Sequence, residues 1–524
     1  MTTGSTIKGI VEVFSDKVIS GWVVTDKPDQ IELHVDSNLI TKTWAARESG
    51  RAGGAMEFRL NLKDIWNYVA EGSRIEILYA GSPLAIAGHG THYTCLKGGA
   101  ATLKQLQNKL AKNYVFNQFG KLQLSALHNP VWQNAVMQLF TKLSETMRTH
   151  FSIEPFAYYG SLLGAVRNNT FIGHDHDFDA AYVVPLSDPL EVGAYATKVA
   201  LRLIELGYVV KAKNTTINVS HPTIADAFVD FFHLYFDSQD NLKSPFGWAG
   251  NSNVKKTDFG GVTKGKLGSF EVPVPIPGDA IVEYLYGSDW RTPNPGFDWK
   301  KDRKKHCLIS RFTTAQKNEV YWDNYYAVDK ETSPSSFQTY VVNSKHATGR
   351  VIEFGCGDGR DSIAFARNGA SVIGFDLSSK AVARATSRAA REKLDAEFFA
   401  ADVSKTLDLV SRVEPFRLSH RGEILFYSRF FLHSLEEATG NKFLENVAGL
   451  MEQGDAFALE FRTPQDESVA KVHGNHFRIF RAPKAIQSIL AKLGMKTILY
   501  QEGNGFAPYK DEDPYLCRIV AVKH

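Results

Sequence analysis

Between Arg350 and Asp376 the chain reads RVIEFGCGDGRDSIAFARNGASVIGFD, and few folds accommodate that run. Apolar Val351 and Ile352 lead into Glu353 and then into Gly355, Gly357 and Gly359. Glycines at this spacing let a backbone turn sharply and come close to a ligand. The stretch Asp361–Asn368 reads as a helix that offers its N-terminal amides to that ligand. Ser371–Phe375 reads as a second strand ending on Asp376, about 20 residues after the loop begins, where a carboxylate accepts both hydroxyls of a ribose. Strand, tight loop, helix and strand in this order require a parallel sheet, so an α/β Rossmann-like domain is expected from Arg350 to His524. On these residues alone any ribose-bearing nucleotide fits, NAD included.

The motif is E-x-G-x-G-x-G rather than G-x-G-x-x-G, and VIEFGCGDGRDS with VIGFDLS resembles the class I S-adenosylmethionine-dependent methyltransferases. The resemblance implies that Glu353, the three glycines and Asp376 hold the methionine and ribose parts of S-adenosylmethionine. It also implies that Asp402, within FFAADV, sits near the adenine. ILFYSRFFLH (Ile424–His433) resembles the family's fourth strand and the turn beneath the methyl donor, and Glu502–Val522 its closing hairpin. Methyl transfer needs alignment and exclusion of water, and a base only where the acceptor must lose a proton. His433, His473 and His476 are the candidates for that base, with His433 foremost.

At 524 residues the chain exceeds one hydrophobic core. The segment 1–97 reads as β structure, with short β-branched and aromatic runs at Ile7–Phe14, Val18–Val24, Gln30–Val35 and Arg74–Ala80. Helical spacing follows at Leu103–Leu110 and Val131–Met147. Three domains are therefore expected, at 1–97, 98–310 and 311–524. A formal charge of +3 gives no case for a nucleic-acid partner. The four cysteines lie far apart and suggest a reducing compartment. The N-terminus has no apolar signal region, and no run approaches the roughly 18–20 apolar residues that span a bilayer. A cytoplasmic protein, at most peripheral at the inner face of the membrane, is the expectation. The basic cluster Lys300, Lys301, Arg303, Lys304, Lys305 and His306 reads as a solvated linker, with an anion contact as the alternative.

In the middle, YYGSLLGAVRNNTFIGHDHDFDAAYVV (Tyr158–Val184) places Asp177 and Asp179 at the start of an apolar strand. Carboxylates two apart on a strand face the same side and can share divalent ions, whose hard character suits oxygen ligands. A second apolar strand, Ala227–Phe236, carries Asp230 in its interior, which is costly unless the carboxylate is paired or metal-bound. The small pair Gly160 and Ser161 lets backbone and hydroxyl approach phosphates.

This G-S, D-x-D, D order is similar to the polymerase-β-like nucleotidyltransferases. More narrowly, YGSLLGAVRNNTFIGHDHDFDAAY resembles the LicD and fukutin family, as does VPVPIPGDAIVEYLYGSDWRTP (Val272–Pro293). The resemblance spans about Tyr114 to Asp302 and implies an α+β nucleotidyltransferase fold. It implies transfer of a phospho-alcohol, such as phosphocholine or an alditol phosphate, from a CDP-linked donor to a glycan acceptor. Mg²⁺ or Mn²⁺ would be held by Asp177, Asp179 and Asp230, and the donor by Gly160, Ser161, Arg167 and Asp175. His174 and His176 replace the family's tryptophan and second aspartate, and read as pocket walls or solvent-facing side chains rather than metal ligands.

Gly9, Ile19–Val23, Glu32–Asp36 and Met56–Leu62 resemble small β-sandwich modules attached to enzymes that build surface glycans. Trp22 is there either a core residue or a sugar platform. Together these readings predict a bifunctional enzyme of cell-surface polysaccharide such as capsule or O-antigen. One alternative is a nucleotidyltransferase that activates a sugar phosphate or alcohol. Another is a silent glycan-binding scaffold carrying an active methyltransferase.

Overall fold

The computed structural model describes residues 8–48, 51, 54–244, 254–293, 310–327, 333–344, 349–419, 422–469, 471–472 and 477–524. The basic cluster at 300–306, His473 and His476 lie outside the described residues. The chain divides into two compact units, Met1–Lys198 with Lys213–Phe312, and Val199–Ala212 with Thr313–His524.

The first unit opens with two β-sheets. One runs in the order Arg47–Glu48, Ala55–Asn61, Val18–Val24, Gly9–Phe14 and Ala85–Ile86, the other Tyr93–Thr94, Arg74–Tyr79, Asp29–Val35 and Asn38–Ala45. Alternate residues of both sheets, among them Val11, Ile19 and Phe58 from one and Ile31, Leu33 and Ile77 from the other, share a single core. Each such side chain contributes roughly 1.5–3 kcal/mol by leaving water. Leu106 of the helix Leu103–Leu110 enters the same core, and Phe116 and Leu122 of the hairpin Tyr114–Phe116/Leu122–Leu124 pack against it. A helix and a hairpin beyond residue 97 thus finish the burial of the β module.

Next in this unit, Phe178–Val183 pairs in parallel with Ile224–Phe236, flanked by antiparallel Phe156–Ala157 on one side and Ile217–His221 on the other. The long helix Pro130–Phe151 lies on this sheet, with Phe140 and Phe178 ring centroids 4.9 Å apart. The helix Tyr159–Asn168 directly follows the short edge strand, and its first residue, Tyr159, holds a left-handed φ of 39°. A hairpin, Val262–Leu267 with Phe270–Pro275, and the helix Gly278–Tyr286 complete the layer.

The second unit is one seven-stranded sheet. Its order is Ala396–Ala400, Ser371–Asp376, Arg350–Phe354, Leu425–Arg429, Ala456–Arg462, Leu516–Lys523 and Met495–Gly503. The first five strands are parallel and Leu516–Lys523 is antiparallel to both neighbours, so the closing hairpin expected near Glu502–Val522 forms. Arg350–Phe354 is buried along its whole length, as a central parallel strand must be. Phe354 stacks between Phe375 and Phe426 from the neighbouring strands. This Rossmann-like order leaves the carboxyl ends of five strands at one edge, where open α/β sheets take their ligands. No helix among the described residues is long and apolar enough to cross a membrane.

Candidate active sites

At that edge of the second unit a cavity of about 1150 Å³ opens, lined by Gly355, Asp376, Asp402, Phe431 and His433 among others. The glycine loop is shaped by its own backbone: Gly355, Gly357 and Gly359 have φ of 70°, 54° and 81°, a region costly for any residue with a Cβ. Each has a distinct neighbour. A Cβ on Gly355 would strike the Phe431 ring, one on Gly357 the Tyr326 hydroxyl, and one on Gly359 would stand 2.9 Å from Ala385 Cβ. Gly359 therefore makes room for the helix Ser379–Glu392 rather than for a ligand.

Asp376 accepts the Gly357 N–H at 2.8 Å and the Ser378 N–H at 2.9 Å on its two oxygens. Burial, reinforced by Asp323, still pushes its carboxyl up to about 6. Asp402 accepts the amide and the hydroxyl of Ser404 at 3.0 and 2.7 Å. Glu353 is 3% exposed and takes a hydrogen bond from Ser362; burial and then Asp361 raise it well above the usual carboxylate range. His433 sits in the turn Leu432–Ser434, buried, with its Nδ1 3.5 Å from the Arg462 amide. The cavity volume and the acceptor oxygens of Asp376 fit an adenosine-sized ligand with a ribose.

In the first unit, the parallel register sets Asp179 directly opposite Asp230. Neighbouring residues in register project to the same face, so the two carboxylates converge. Asp177 joins them, and one ligand oxygen from each lies within 4.8 Å of the others. Burial first, then Asp177, Asp175 and Asp230, drive the Asp179 carboxyl well above its usual range. Asp175 is raised likewise by burial and by Asp177. A buried cluster of carboxylate oxygens in mutual repulsion is the donor set that a hard divalent cation fits.

The small pair works on the acids themselves. The Gly160 N–H donates to Asp179 Oδ2 at 3.3 Å, the Asp179 N–H donates to Ser161 Oγ at 3.0 Å, and a Cβ on Gly160 would collide with Asp175. Arg167 is half-buried with an unpaired Nε, and lies close enough to His174 to help burial push that imidazole down to about 4. His176 Nδ1 stands 3.8 Å from Asp177, so His176 borders the cluster with Asp175.

Several contributors escape sequence reasoning. Asp230 is not isolated: Lys213 Nζ meets both its oxygens at 2.9 and 3.0 Å, and Asn218 donates to Oδ1 at 2.9 Å. Only the strand register reveals that pairing. Burial, and then the fields of Asp179 and Asp175, raise the Tyr286 hydroxyl well above its usual range. Gln123 donates to the Asp175 carbonyl at 2.8 Å. Around the cavity, Tyr321, Trp322, Tyr325 and Tyr326 of the helix Thr314–Tyr326 form an aromatic wall that the density of YWDNYY alone hints at. Trp22 is neither core nor open platform: Arg51 covers its ring at 5.3 Å and its Nε1 donates to Glu12.

Residues 351–454 match a family described as methyltransferase domain, and residues 152–276 match the LicD/FKTN/FKRP nucleotidyltransferase domain. No curated protein matches the chain. Among solved structures it is similar to magnesium protoporphyrin IX methyltransferase from Synechocystis with bound SAM, at 17% identity over 40% of this chain and 83% of that one, TM-score 0.27. It is also similar to a glycopeptide N-methyltransferase, at 18% over 37% and 97%, TM-score 0.29. A SAM-dependent methyltransferase from Anabaena variabilis aligns at 15% over 41% and 96%, TM-score 0.33. The chain thus carries a LicD-family domain and a methyltransferase domain, with S-adenosylmethionine the methyl donor that the second implies.

Proposed function

We propose that the chain is a bifunctional transferase of cell-surface polysaccharide. Its central domain, of nucleotidyltransferase fold, moves a phospho-alcohol from a CDP-linked donor to a glycan hydroxyl, and its C-terminal domain methylates the glycan or the added group. The observation that carries the first half is the convergence of Asp177, Asp179 and Asp230 within 4.8 Å, with Arg167 half-buried and its Nε unpaired.

A divalent Mg²⁺ or Mn²⁺ supplies charge neutralisation at the phosphates and a more acidic acceptor hydroxyl. Asp177, Asp179 and Asp230 hold it, while Lys213 fixes the Asp230 carboxylate. Arg167 offers the donor phosphates a charge-assisted hydrogen bond. The acceptor oxygen attacks phosphorus, the bond to the cytidylate oxygen breaks, and CMP leaves with the electron pair. Asp175, beside Asp177 at the edge of the acids, is the group proposed to receive the acceptor proton.

In the methyltransferase half, S-adenosylmethionine supplies an electrophilic methyl group. Asp376 receives the ribose hydroxyls, Gly355 turns the loop under Phe431 at the cavity, and the aromatic wall excludes water. His433 lines the same cavity and is the residue proposed to accept a proton there.

The test is incubation of the full chain and Mn²⁺ with CDP-choline or CDP-ribitol plus a glycan acceptor, or with CTP plus a sugar phosphate. Release of CMP from a CDP-linked donor, lost in Asp179→Asn, supports the reading; consumption of CTP with release of pyrophosphate replaces it with nucleotide activation.

A further inference from the structure

The methyl-donor cavity has two chemically different halves. Asp376, Asp402 and the glycine loop follow the strands Ser371–Asp376, Ala396–Ala400 and Arg350–Phe354. The opposite wall follows Leu425–Arg429 and Ala456–Arg462, and it is cationic: Arg429, Arg462 and Arg478 all line it, with His433. Three strand spacings, about 14 Å, separate the strand of Asp376 from that of Arg462.

Arg429, Arg462 and His433 gather at one residue. Phe430 holds a left-handed φ of 51°, unusual for a bulky side chain. The Arg429 guanidinium stands 4.4 Å from its ring centre, the Arg462 guanidinium 5.4 Å, and the His433 ring 5.6 Å. Their counter-charges are shared. Glu460 binds Arg429 at 2.9 Å but also Arg518 at 2.6 Å, and Asp466 binds Arg462 at 2.5 Å but also Lys471 at 3.1 Å. Glu512 adds one contact to Arg462, at 2.6 Å. Glu460, Asp466 and Glu512 are thus divided among Arg429, Arg462, Arg518 and Lys471, with Asp361 and Glu353 also in the field of Arg429, and Arg478 feels Arg462 as well as Glu512 and Asp466. Arg462 is 6% exposed, and its Nε is buried without a hydrogen-bond partner. An unsatisfied guanidinium N–H costs free energy unless a ligand completes it.

We infer that the wall formed by Arg429 and Arg462 at Phe430, with Arg478 near Arg462, is an oxyanion subsite for the methyl acceptor. The acceptor then carries an anionic group beside the atom to be methylated. The donor's own carboxylate does not claim this wall, because Arg360 lines the cavity at the glycine loop, with its Nε buried and unpaired. The inference rests on the methyltransferase half of the reading above. Two sources share the chemistry: a phosphoryl group, as the central domain would install, or a sugar carboxylate. A phosphoryl acceptor would place phosphotransfer before methylation.

The experiment is calorimetric titration of the full chain, first with S-adenosylhomocysteine, then of the loaded chain with inorganic phosphate, glucose 6-phosphate, glucuronate and glucose. At least one anion is expected to bind and glucose is not. Preference for glucose 6-phosphate identifies the phosphoryl source, and preference for glucuronate the carboxylate. Arg478→Gln is expected to weaken anion binding about tenfold to a hundredfold, as loss of a charged hydrogen-bond partner does, with affinity for S-adenosylhomocysteine unchanged. No anion binding to the loaded chain, equal binding of glucose, or loss of S-adenosylhomocysteine affinity in Arg478→Gln overturns the subsite and leaves the methyltransferase standing. Failure of the native chain to bind S-adenosylhomocysteine overturns both. The native-chain titration decides even where the variant does not fold.

Discussion

Gly160→Ala separates the folding role of the acidic site from its chemical role. Gly160 is the second residue of the helix Tyr159–Asn168, and its φ is not left-handed, so alanine suits the backbone and favours the helix by about 0.5–1 kcal/mol. The new Cβ, however, would fall about 1 Å inside normal contact with Asp175 Oδ2. Asp175 cannot withdraw by its backbone, which Gln123 holds through the carbonyl at 2.8 Å and Ile172 through the amide at 3.0 Å. The carboxylate must swing instead, within a cluster where an Asp177 oxygen already lies within 4.8 Å of it. A displacement of about 1 Å in a reacting constellation costs up to about 100-fold in rate. Thermal unfolding of the variant is therefore expected within a few degrees of the native protein. Manganese affinity, read by calorimetry, and CMP release are expected to fall ten- to a hundredfold. A variant that melts normally and keeps native manganese affinity and turnover refutes the reasoning, because Gly160 would then have no part in seating the acids.

Three other perturbations test neighbouring parts of the argument. Asp179→Asn keeps an acceptor for the Gly160 amide and removes one of the crowded charges. Because the folded-state pKa of Asp179 is raised, its unfavourable contribution sets in as pH rises above the unfolded value of 3.8, so the metal-free variant should melt above the native protein at neutral pH and gain nothing from Mn²⁺. A lower melting point in the variant would count against the repulsion. Asp376, pushed up to about 6, must be ionised to accept the ribose hydroxyls. Affinity for S-adenosylhomocysteine should therefore decline below about pH 6, towards tenfold per unit, and a flat titration from pH 7 to 5 would exclude that role. Gly357→Ala combines a positive φ with a collision against the Tyr326 hydroxyl. It should cost about 1–3 kcal/mol of stability in denaturant unfolding, and retained stability would show that the loop can shift without penalty.

Local chemistry was legible in the residues themselves. The glycines of FGCGDG stand where the backbone takes positive φ, and Asp376 ends its strand as the spacing demands, because both features depend on a few consecutive residues. The D-x-D pair at Asp177 and Asp179 is likewise a local statement. Whether Asp230 would face it depended on which strands pair and in what register, a choice made by the core around Phe178, Phe231 and Leu234 rather than by the acids. The same holds for Lys213 and Asn218, which look unremarkable along the chain and become partners of Asp230 only through the sheet. The arginine wall shows the division most clearly. Arg429 and Arg462 lie 33 residues apart, and only adjacent parallel strands ending at one edge bring them to a single ring, with Arg478 lining the same cavity. Periodicity and short motifs carry information over a few residues, whereas charge clusters arise from non-local packing, and that is where the tertiary structure decides.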